Sequence, residues 1–485
     1  MFKFTLLCLL LCFSTYALGA NEFDEDLSGF TEETSTSQTA TASFTDEFVD
    51  DMAGFMDEDE VLDSVETLKE EKSYSLSGKL AFKTSVGYKK HEVDGSEYSG
   101  VNQAQTSLYL QLDTKLSDNW KFRLSGDAFY DAIYDLRSSQ NYRQSVKDDY
   151  ATQLRLDDTY IQGSIHSDLD VKVGRQVVVW GKSDTIRITD IINPLDNRVL
   201  GMTDIEDLRL SVGMVKLDYY LSKWNFSMMV IPENRIMQEA TPRGEYFPVD
   251  SVIPIPGGVD DPFPDLNAPS TSWDNMQYAF AANIRLDDGD ISLYAAEVLD
   301  QRWHFNEIPR IGVALSERSV STVKMLGSAF NLIKGSWLFK AEVAYLQDLK
   351  YNTSLQTKKR LDTLIGFEYM GFRDTTISFD LANRHIFNHE IQMSTSADMV
   401  DKNEIQTAAR FTRSFENETI TVSALITLFG DSFENGGFAR IWSEYEIMDA
   451  LSANLGIVEY MGGDKAYMQA IKDNDRVFAD ITYSF

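Results

Sequence analysis

The last ten residues of the chain, Arg476 to Phe485, read RVFADITYSF and alternate with a period of two. One face of an extended strand would carry Val477, Ala479, Ile481, Tyr483 and Phe485. The other would carry Arg476, Asp480, Thr482 and Ser484. Successive side chains of a strand point to opposite faces, so the segment predicts a strand with an apolar environment on one side and a polar one on the other.

A strand of this kind that ends in phenylalanine resembles the closing strand of a Gram-negative outer-membrane β-barrel. The resemblance implies that the chain is surrounded by outer-membrane lipid and that the barrel-assembly machinery reads Phe485. The start of the chain agrees with export, because Lys3 precedes an apolar run over 4–13 that ends in small residues. Residues 1–20 are therefore predicted to be a signal peptide. Its removal would take away Cys8 and Cys12, leaving no disulfide or cysteine-metal site.

Alternating segments recur from residue 74 to residue 485, and we count about 18 strands, or 16 to 20 if one hairpin is miscounted. Tight turns alternate with longer polar loops, as a barrel with both termini in the periplasm requires. No later segment offers the roughly 20 consecutive apolar residues of a membrane-spanning helix. A single strand of this type also fits a soluble sandwich, but its regular repetition favours an all-β transmembrane antiparallel barrel over residues 74–485.

The strand near 335–348 shows the expected two faces. Its apolar face comprises Trp337, Phe339, Ala341, Val343 and Tyr345, and its polar face includes Lys340 and Glu342. Outer-membrane barrels carry aromatic girdles at both membrane interfaces. The residues predicted for these girdles are Trp180, Trp337, Tyr345, Tyr483 and Phe485.

Residues 21–73 differ in composition from the barrel. Between Asn21 and Glu71 there are 18 acidic residues and one lysine, within a chain whose net charge is −32. Apolar residues at helical spacing predict an amphipathic helix over 44–70 in this periplasmic tail. Three interpretations of residues 21–73 are open. The segment is a solvated acidic tail, it carries a docking helix for a periplasmic protein partner, or it plugs the lumen. A polyanion is an unsuitable partner for nucleic acid.

The segment from Leu154 to Leu210 carries the most distinctive motifs. A strand with DTY, at Asp158 to Tyr160, is followed by GRQVVVWG at 174–181 and by Asn193-Pro194. These motifs resemble an uncharacterised proteobacterial family of outer-membrane β-barrels, a domain of unknown function that is similar to alginate-export-type and porin-like barrels. Genes of that family often lie beside exporters of the resistance-nodulation-division (RND) type, which implies movement of lipidic or hydrophobic molecules.

The same segment predicts a short hairpin. If its turn centres on His166 and Ser167, Asp158 lies opposite Arg175 and the two side chains form a cross-strand pair. Such a pair is costly towards lipid, so we expect it in the lumen or at the periplasmic rim, with Gly174 as a bulge. The pair either fixes the hairpin register or takes part in permeation.

The following loop, 182–207, has too many aliphatic residues for a loop that only contacts water. They are Ile186, Ile188, Ile191, Ile192, Leu195 and Leu200. We expect the loop either to fold into the barrel as a constriction or to pack outside as a flap. The pore or constriction candidates are Arg175, Asp158, Lys182, Arg187, Asp190, Asp196 and Arg198.

Nothing in the sequence predicts catalysis, a metal site or a cofactor. The five histidines lack a partner at motif spacing, and no nucleophile elbow or phosphate loop is present. A proline-rich loop over 232–273 predicts an external cap or lid; its acids could hold Ca²⁺, although such loops are usually just solvated. The function that the sequence predicts is an outer-membrane channel or transporter for a small or hydrophobic solute, working with an RND-type exporter. The alternative is a plugged docking protein that recruits periplasmic partners through its tail.

Overall fold

The structure is a computed structural model that describes residues 73–137, 140–248, 263, 266–308, 316–394 and 398–485. The predicted signal peptide and the acidic tail up to residue 72, with its helix over 44–70, lie outside the described residues.

Eighteen long strands form one antiparallel sheet in which each strand pairs with its neighbours along the chain. They are β1 (Tyr74–Gly87), β2 (Gly100–Ser117), β3 (Trp120–Asp131), β4 (Thr152–His166), β5 (Leu169–Gln176), β6 (Val212–Leu221), β7 (Trp224–Ile231), β8 (Gln277–Leu286), β9 (Gly289–Phe305), β10 (Arg318–Lys334), β11 (Trp337–Tyr351), β12 (Ser354–Phe372), β13 (Thr375–Phe387), β14 (Asn403–Phe415), β15 (Ile420–Phe429), β16 (Gly437–Met448), β17 (Leu451–Met461) and β18 (Arg476–Ser484).

The sheet closes on itself where β18 pairs with β1. Ile481 lies opposite Phe82, and Val477 lies opposite Val86. The last residue extends this ladder, because the backbone N–H of Phe485 donates to the carbonyl of Gly78 at 3.0 Å and its carbonyl accepts from Gly78 at 2.9 Å. Closure leaves no free sheet edge. The predicted fold class and the predicted strand number are confirmed.

The two faces of the wall differ as predicted. On β11, Trp337, Phe339 and Val343 are exposed on the outside, whereas Lys340 and Glu342 are buried inside. An apolar outside and a polar inside are the arrangement of a membrane-spanning barrel. The helices are short: α1 (Ile133–Leu136), α2 (Gln144–Tyr150), α3 (Ile205–Leu208) and α4 (Ala466–Ile471). None of the helices that the structure describes is long and apolar enough to cross a bilayer.

The connections at the two ends of the barrel differ in length. At the end that carries the C-terminus, short turns contain residues with positive φ, among them Ser222, Gly335 and Asp374. At the opposite end the longest connections are 177–211, between β5 and β6, and 232–276, between β7 and β8. One connection at that end is also short, because only Asn352 and Thr353 separate β11 from β12.

Strands β5 and β3 end where other contacts replace the ladder. Strand β5 stops at Gln176, because the backbone N–H of Val178 donates to the side chain of Asn193 instead of to a neighbouring strand. Strand β3 stops at Asp131, because helix α1 begins at Ile133.

Candidate functional site: a loop inside the barrel

The chain from 177 to 211, called here the inserted loop, is held at its base by Asn193. This side chain is fully buried and donates its amide to the carbonyls of Gln176, at 3.2 Å, and Leu210, at 2.8 Å. Its oxygen accepts from the N–H of Val178 at 2.8 Å. The buried Gln176 lies at the end of β5, and Leu210 lies just before β6. Asn193 therefore joins the two ends of the loop, which gives the Asn of the distinctive motif a physical role.

A carboxylate on the wall holds the tip of the inserted loop. Oε1 of Glu342, on the inner face of β11, accepts from the N–H groups of Lys182 at 2.6 Å and Ser183 at 2.9 Å. Its Oε2 accepts from the hydroxyl of Thr189 at 2.8 Å and from the same residue's N–H at 3.2 Å. Gly181 has φ of 91°, and a Cβ there would lie 2.8 Å from Oε2 of Glu342. The glycine thus allows the loop backbone to approach the carboxylate closely.

Strand β13 provides a second attachment. Oδ2 of Asp380 accepts from the hydroxyls of Ser183 at 2.8 Å and Thr185 at 2.6 Å. Arg384 lies four residues further along the same face of β13 and donates to the carbonyl of Arg187 at 3.1 Å. Because Asp380, Arg384 and Glu342 all belong to wall strands, these contacts place the loop inside the barrel.

Apolar packing supports the same placement. The buried loop residues Val178, Trp180, Ile186, Ile188 and Ile192 belong to one hydrophobic cluster with the wall. Small wall residues make room for them; they are Ala279, Ala281, Ala296, Ala329, Ala344, Ala382 and Ala408. The prediction that the loop aliphatics are buried against the wall is consistent with this packing, whereas whether the loop restricts a passage remains a proposal.

Trp180 was wrongly predicted to lie in the aromatic girdle. It is 4% exposed and stacks on Tyr294 of β9, with ring centroids 4.5 Å apart and planes 19° apart. The reason is that β5 has already ended, so the alternation that would have turned this ring outwards no longer applies. Trp337, Tyr483 and Phe485 are exposed on the outer face, and Tyr345 packs against Phe387 there, with centroids 6.3 Å apart.

The predicted pair of Asp158 and Arg175 does not form. Arg175 lies opposite Thr159 in the ladder, because the turn falls one residue later than expected and the register shifts between Ser164 and His166. The guanidinium of Arg175 instead donates to both carboxylate oxygens of Glu233, at 3.1 and 2.5 Å. The predicted bulge has a structural counterpart, since Gly174 has φ of 130° and a Cβ there would lie 2.2 Å from the carbonyl oxygen of Thr159.

The other candidate charges hold the loop together. Lys182 forms an ion pair with Asp290 of β9. Asp190 binds both Arg187, at 3.0 Å, and Arg209, at 2.9 Å. Burial lowers the pKa of Arg187 despite the nearby Asp190.

Asp196 and Arg198 form a second charged group in the loop. Asp196 binds Arg198 at 2.6 Å and Arg155 of β4 at 3.3 Å. Burial alone would raise the pKa of Asp196, but the hydrogen bond and charge of Arg198 lower it. Arg198 also donates to the carbonyl of Asp149 and to Gln153, both at 2.6 Å. This group ties the loop to the wall around β4.

The return segment of the loop faces the other side of the lumen. Asp204 forms ion pairs with Arg440 of β16 and, at 3.0 Å, with Arg410 of β14. The neighbouring Glu206 and Asp207 are exposed. The surrounding protein nevertheless displaces water from both carboxyl groups, and this desolvation is the main cause that raises their pKa. The acidic neighbours are the second cause. Lys79 and Lys83 of β1 oppose this rise for Asp207.

A cavity of about 400 Å³ lies between the inserted loop and strands β9–β15. Its wall combines aliphatic residues with arginine and aspartate side chains. No group of three or more potential metal-ligating side chains occurs among the residues that the structure describes.

The second long loop, of which the structure describes 232–248, 263 and 266–276, contacts the inserted loop and the wall at the mouth of the barrel. Gln238 and Glu239 pair with Asp196 and Asn197 as a short parallel bridge. Further along, Glu245 reaches the opposite wall, where it accepts from Arg476 of β18 at 2.5 Å.

Sequence reasoning missed the wall residues that receive the loop. Glu342 was placed only on a polar face, and Asp380, Arg384 and Arg440 were not singled out. Their signal was present, because each is a charged residue in the interior of a strand that otherwise alternates. The sequence also contained a signal for the apolar contacts of the loop. It is the alanine-rich inner face of β8–β14, where small side chains leave room for the loop residues.

Comparisons with known proteins give a family and a set of distant structures. The sequence profile of a family described as a protein of unknown function, DUF1302, matches residues 3–485. No curated protein matches the chain significantly. A BenF-like porin from Pseudomonas fluorescens Pf-5 has a TM-score of 0.49 and 10% identity, covering 85% of this chain and 98% of that one. OccK9 (OpdG) from Pseudomonas aeruginosa has a TM-score of 0.47 and 10% identity, covering 85% and 97%.

Proposed function

The chain belongs to the DUF1302 family of proteins of unknown function, and we propose from its own geometry that it is an outer-membrane channel or transporter. Its closed barrel encloses a lumen that the inserted loop narrows. A barrel of this many strands is too wide for its own side chains to fill, so an additional segment is needed to restrict passage. The observation that carries the proposal is the attachment of the inserted loop to Glu342 and Asp380 inside the wall.

The position of the charges indicates where a solute would pass. The inserted loop packs its apolar residues against β6–β14, whereas charged residues on the other side remain exposed. These are Lys79 and Lys83 on β1, Glu444 on β16, and Glu206 and Asp207 on the loop. We infer that the passage runs on this side, between a basic wall and an acidic loop edge. Such an arrangement orders the dipoles of polar solutes and water in the passage.

Most of the candidate constriction residues act indirectly in this proposal. Lys182, Arg187, Asp190, Asp196 and Arg198 hold the loop in place through the ion pairs described above. Arg175, through Glu233, fixes the point where the loop leaves the wall. Asp158 has no such contact with Arg175, and we assign it no role in the passage.

The nature of the solute and of the partners is proposed from the sequence. The resemblance of the 154–210 segment to barrels found beside RND-type exporters supports a small or hydrophobic solute and an exporter in the inner membrane. The polyanionic tail supports a periplasmic protein partner. The terminal Phe485, paired with β1, supports recognition by the barrel-assembly machinery.

One observation favours a second function, that of a plugged docking protein. The contact between Glu245 and Arg476 ties the second long loop across the mouth, and its bridge to Asp196 ties the two loops together. If these contacts are permanent, the lumen is blocked and the function lies in the acidic tail, which binds periplasmic partners.

Conductance of the refolded mature protein in planar bilayers separates the two functions. The measurement should be repeated with a variant that lacks residues 21–73. A steady current from the mature protein supports a channel, and a current only after the deletion identifies the tail as a plug. Absence of current from both, in protein whose folding is verified by heat-modifiable mobility, would favour the docking function.

A further inference from the structure

The cavity between the inserted loop and β9–β15 contains four arginine side chains, and one of them differs from the others. Arg302 binds Asp300 at 3.0 Å, Arg360 binds Asp362 at 2.7 Å, and Arg187 binds Asp190. Each of these three guanidinium groups therefore binds a carboxylate, although Arg187 shares Asp190 with Arg209. Arg384 donates only to neutral oxygens among the described residues, namely Oε1 of Gln406 and the carbonyl of Arg187, both at 3.1 Å.

The acids that lie beside Arg384 are already engaged. Asp362 faces Arg384 across the β12–β13 ladder, but both of its oxygens accept from Arg360 at 2.7 Å. Glu404 faces it across the β13–β14 ladder, but its oxygens accept from Lys465 and from the N–H of Asp401. A guanidinium has five N–H donors, and Arg384 uses two of them in these contacts. Among the described residues, Arg384 thus has carboxylates nearby but none hydrogen-bonded to it, and it keeps free donors within a half-buried site.

Apolar side chains form a large part of the cavity wall, beside its charged and amide residues. Its lining includes Val323, Leu346, Leu349, Ile386, Val400 and Phe429. Leu349 and Ile386 are each 1% exposed, so they form a fixed apolar surface instead of a mobile rim. The volume of about 400 Å³ falls at the small end of the ~300–1,000 Å³ typical of small-molecule sites.

We propose that this cavity is a binding site for a small amphiphilic anion, with a carboxylate on Arg384 and a short hydrocarbon chain against Leu346, Leu349 and Ile386. A carboxylate can accept two parallel hydrogen bonds from a planar guanidinium, and it would give Arg384 the directly bonded charged partner that no described wall residue provides. The hydrocarbon chain loses its contact with water in the same step. The inference rests on the proposed transport function, because it names the class of solute that the barrel would hold beside its inserted loop.

Equilibrium dialysis tests the site without requiring any current. The protein is embedded in lipid nanodiscs, octanoate is the probe, and binding to empty nanodiscs is subtracted. We expect saturable binding of one octanoate per chain, and binding weaker by at least about tenfold for propanoate, which lacks the chain, and for octan-1-ol, which lacks the charge. Equal binding of octanoate and octan-1-ol would overturn the proposal even if every variant failed to fold.

The variant Arg384→Gln tests the assigned residue. It should weaken octanoate binding by at least about tenfold. The matched control is Arg373→Gln, which removes an arginine charge at the turn between β12 and β13, where the side chain is 92% exposed; it should leave binding unchanged. Unchanged binding in a folded Arg384→Gln protein would contradict the assignment. Octanoate binding without any conductance would refute the channel but not the site, and conductance without binding would refute only the site.

Discussion

Thr189, in the inserted loop, donates both its hydroxyl and its backbone N–H to one carboxylate oxygen of Glu342, at 2.8 and 3.2 Å. The other oxygen of Glu342 accepts from Lys182 and Ser183. Hydrogen bonds to a charged group contribute about 1.5–3 kcal/mol each, so one wall residue dominates the attachment of the loop tip. The position of the loop tip therefore depends on Glu342.

Replacement of Glu342 should release the inserted loop. The variant Glu342→Gln keeps the shape of the side chain but replaces one accepting oxygen by an amide that donates, leaving two loop donors without an acceptor. Each donor left buried and unsatisfied costs about 1–3 kcal/mol. We expect a larger and noisier single-channel conductance in planar bilayers.

Glu297→Gln is the control for that measurement. Glu297 lies on the outer face of β9, beside Lys324 at 3.9 Å, and has no contact with the loop. Its conductance should match the unmodified protein. If the Glu342 variant had the same single-channel conductance and the same low current noise as this control, the Glu342 carboxylate would not be what holds the loop.

Truncation of Trp180 should destabilise the protein more than truncation of Trp337. Trp180 is buried between the loop and Tyr294, and removal of a buried aromatic side chain costs about 3–5 kcal/mol. Trp337 is 39% exposed on the outer face. We therefore expect Trp180→Ala to lower the urea midpoint of unfolding well below that of Trp337→Ala. The reverse order would place Trp180 on the membrane-facing surface, as the sequence suggested.

Gly174 should tolerate no side chain. At φ of 130°, a Cβ would lie 2.2 Å from the carbonyl of Thr159, and the backbone conformation alone costs about 1–3 kcal/mol for other residues. We expect Gly174→Ala to reduce the folded, heat-modifiable fraction after refolding. Gly335→Ala serves as the comparison, because Gly335 also has positive φ, 60°, but a Cβ there meets nothing within 4 Å. A similar folded yield for both variants would show that contact with Thr159 is unimportant.

The fold could be predicted from the sequence because the alternation of apolar and polar residues, which indicates a strand, is visible within each short segment. Strand β11 could be predicted, with its faces, from Trp337 to Tyr345. The inserted loop was harder, because its partners are distant in sequence: Glu342 lies 153 residues from Thr189. Nothing local to either residue specifies that contact.

The errors also have a common physical cause. The turn between β4 and β5 falls one residue later than expected, and the ladder also shifts register beside it; together these changes move Arg175 from Asp158 to Thr159. Trp180 was misplaced because the period of two was continued past Gln176, where side-chain bonds from Asn193 replace the ladder. Alternation predicts strands well but does not predict where they end.

The charge selectivity of the passage should depend on pH through Glu206 and Asp207. Burial and neighbouring acids raise the pKa of both carboxyls, so they take up protons at a higher pH than free carboxyls do. The groups around them are Asp184, Asp204, Lys79, Lys83, Arg410 and Arg440. Because protonation removes negative charge from the loop edge, the permeability of cations relative to anions should fall, by about twofold, as the pH is lowered.

Reversal potentials in a salt gradient measure this selectivity. The variant Asp207→Asn should show a weaker preference for cations at neutral pH and a smaller change on acidification. Stability changes in the opposite direction: a carboxyl with a raised pKa favours the folded state at low pH, and this contribution is lost as the pH rises through the folded-state pKa. Selectivity that is independent of pH would remove these carboxyls from the passage.

The placement of the inserted loop inside the barrel is tested most directly by a disulfide between the loop and the wall. A Cβ built on Gly327 of β10 would lie 3.1 Å from Cγ2 of Thr189, and the described residues contain no cysteine. The double variant Thr189→Cys, Gly327→Cys should form a disulfide in intact cells, detected by mass spectrometry of its peptides, whereas Thr189→Cys with Gly335→Cys should not. The opposite result, in which Cys at position 189 stays reduced beside position 327 and reacts with a membrane-impermeant maleimide from outside, would place the loop outside the barrel.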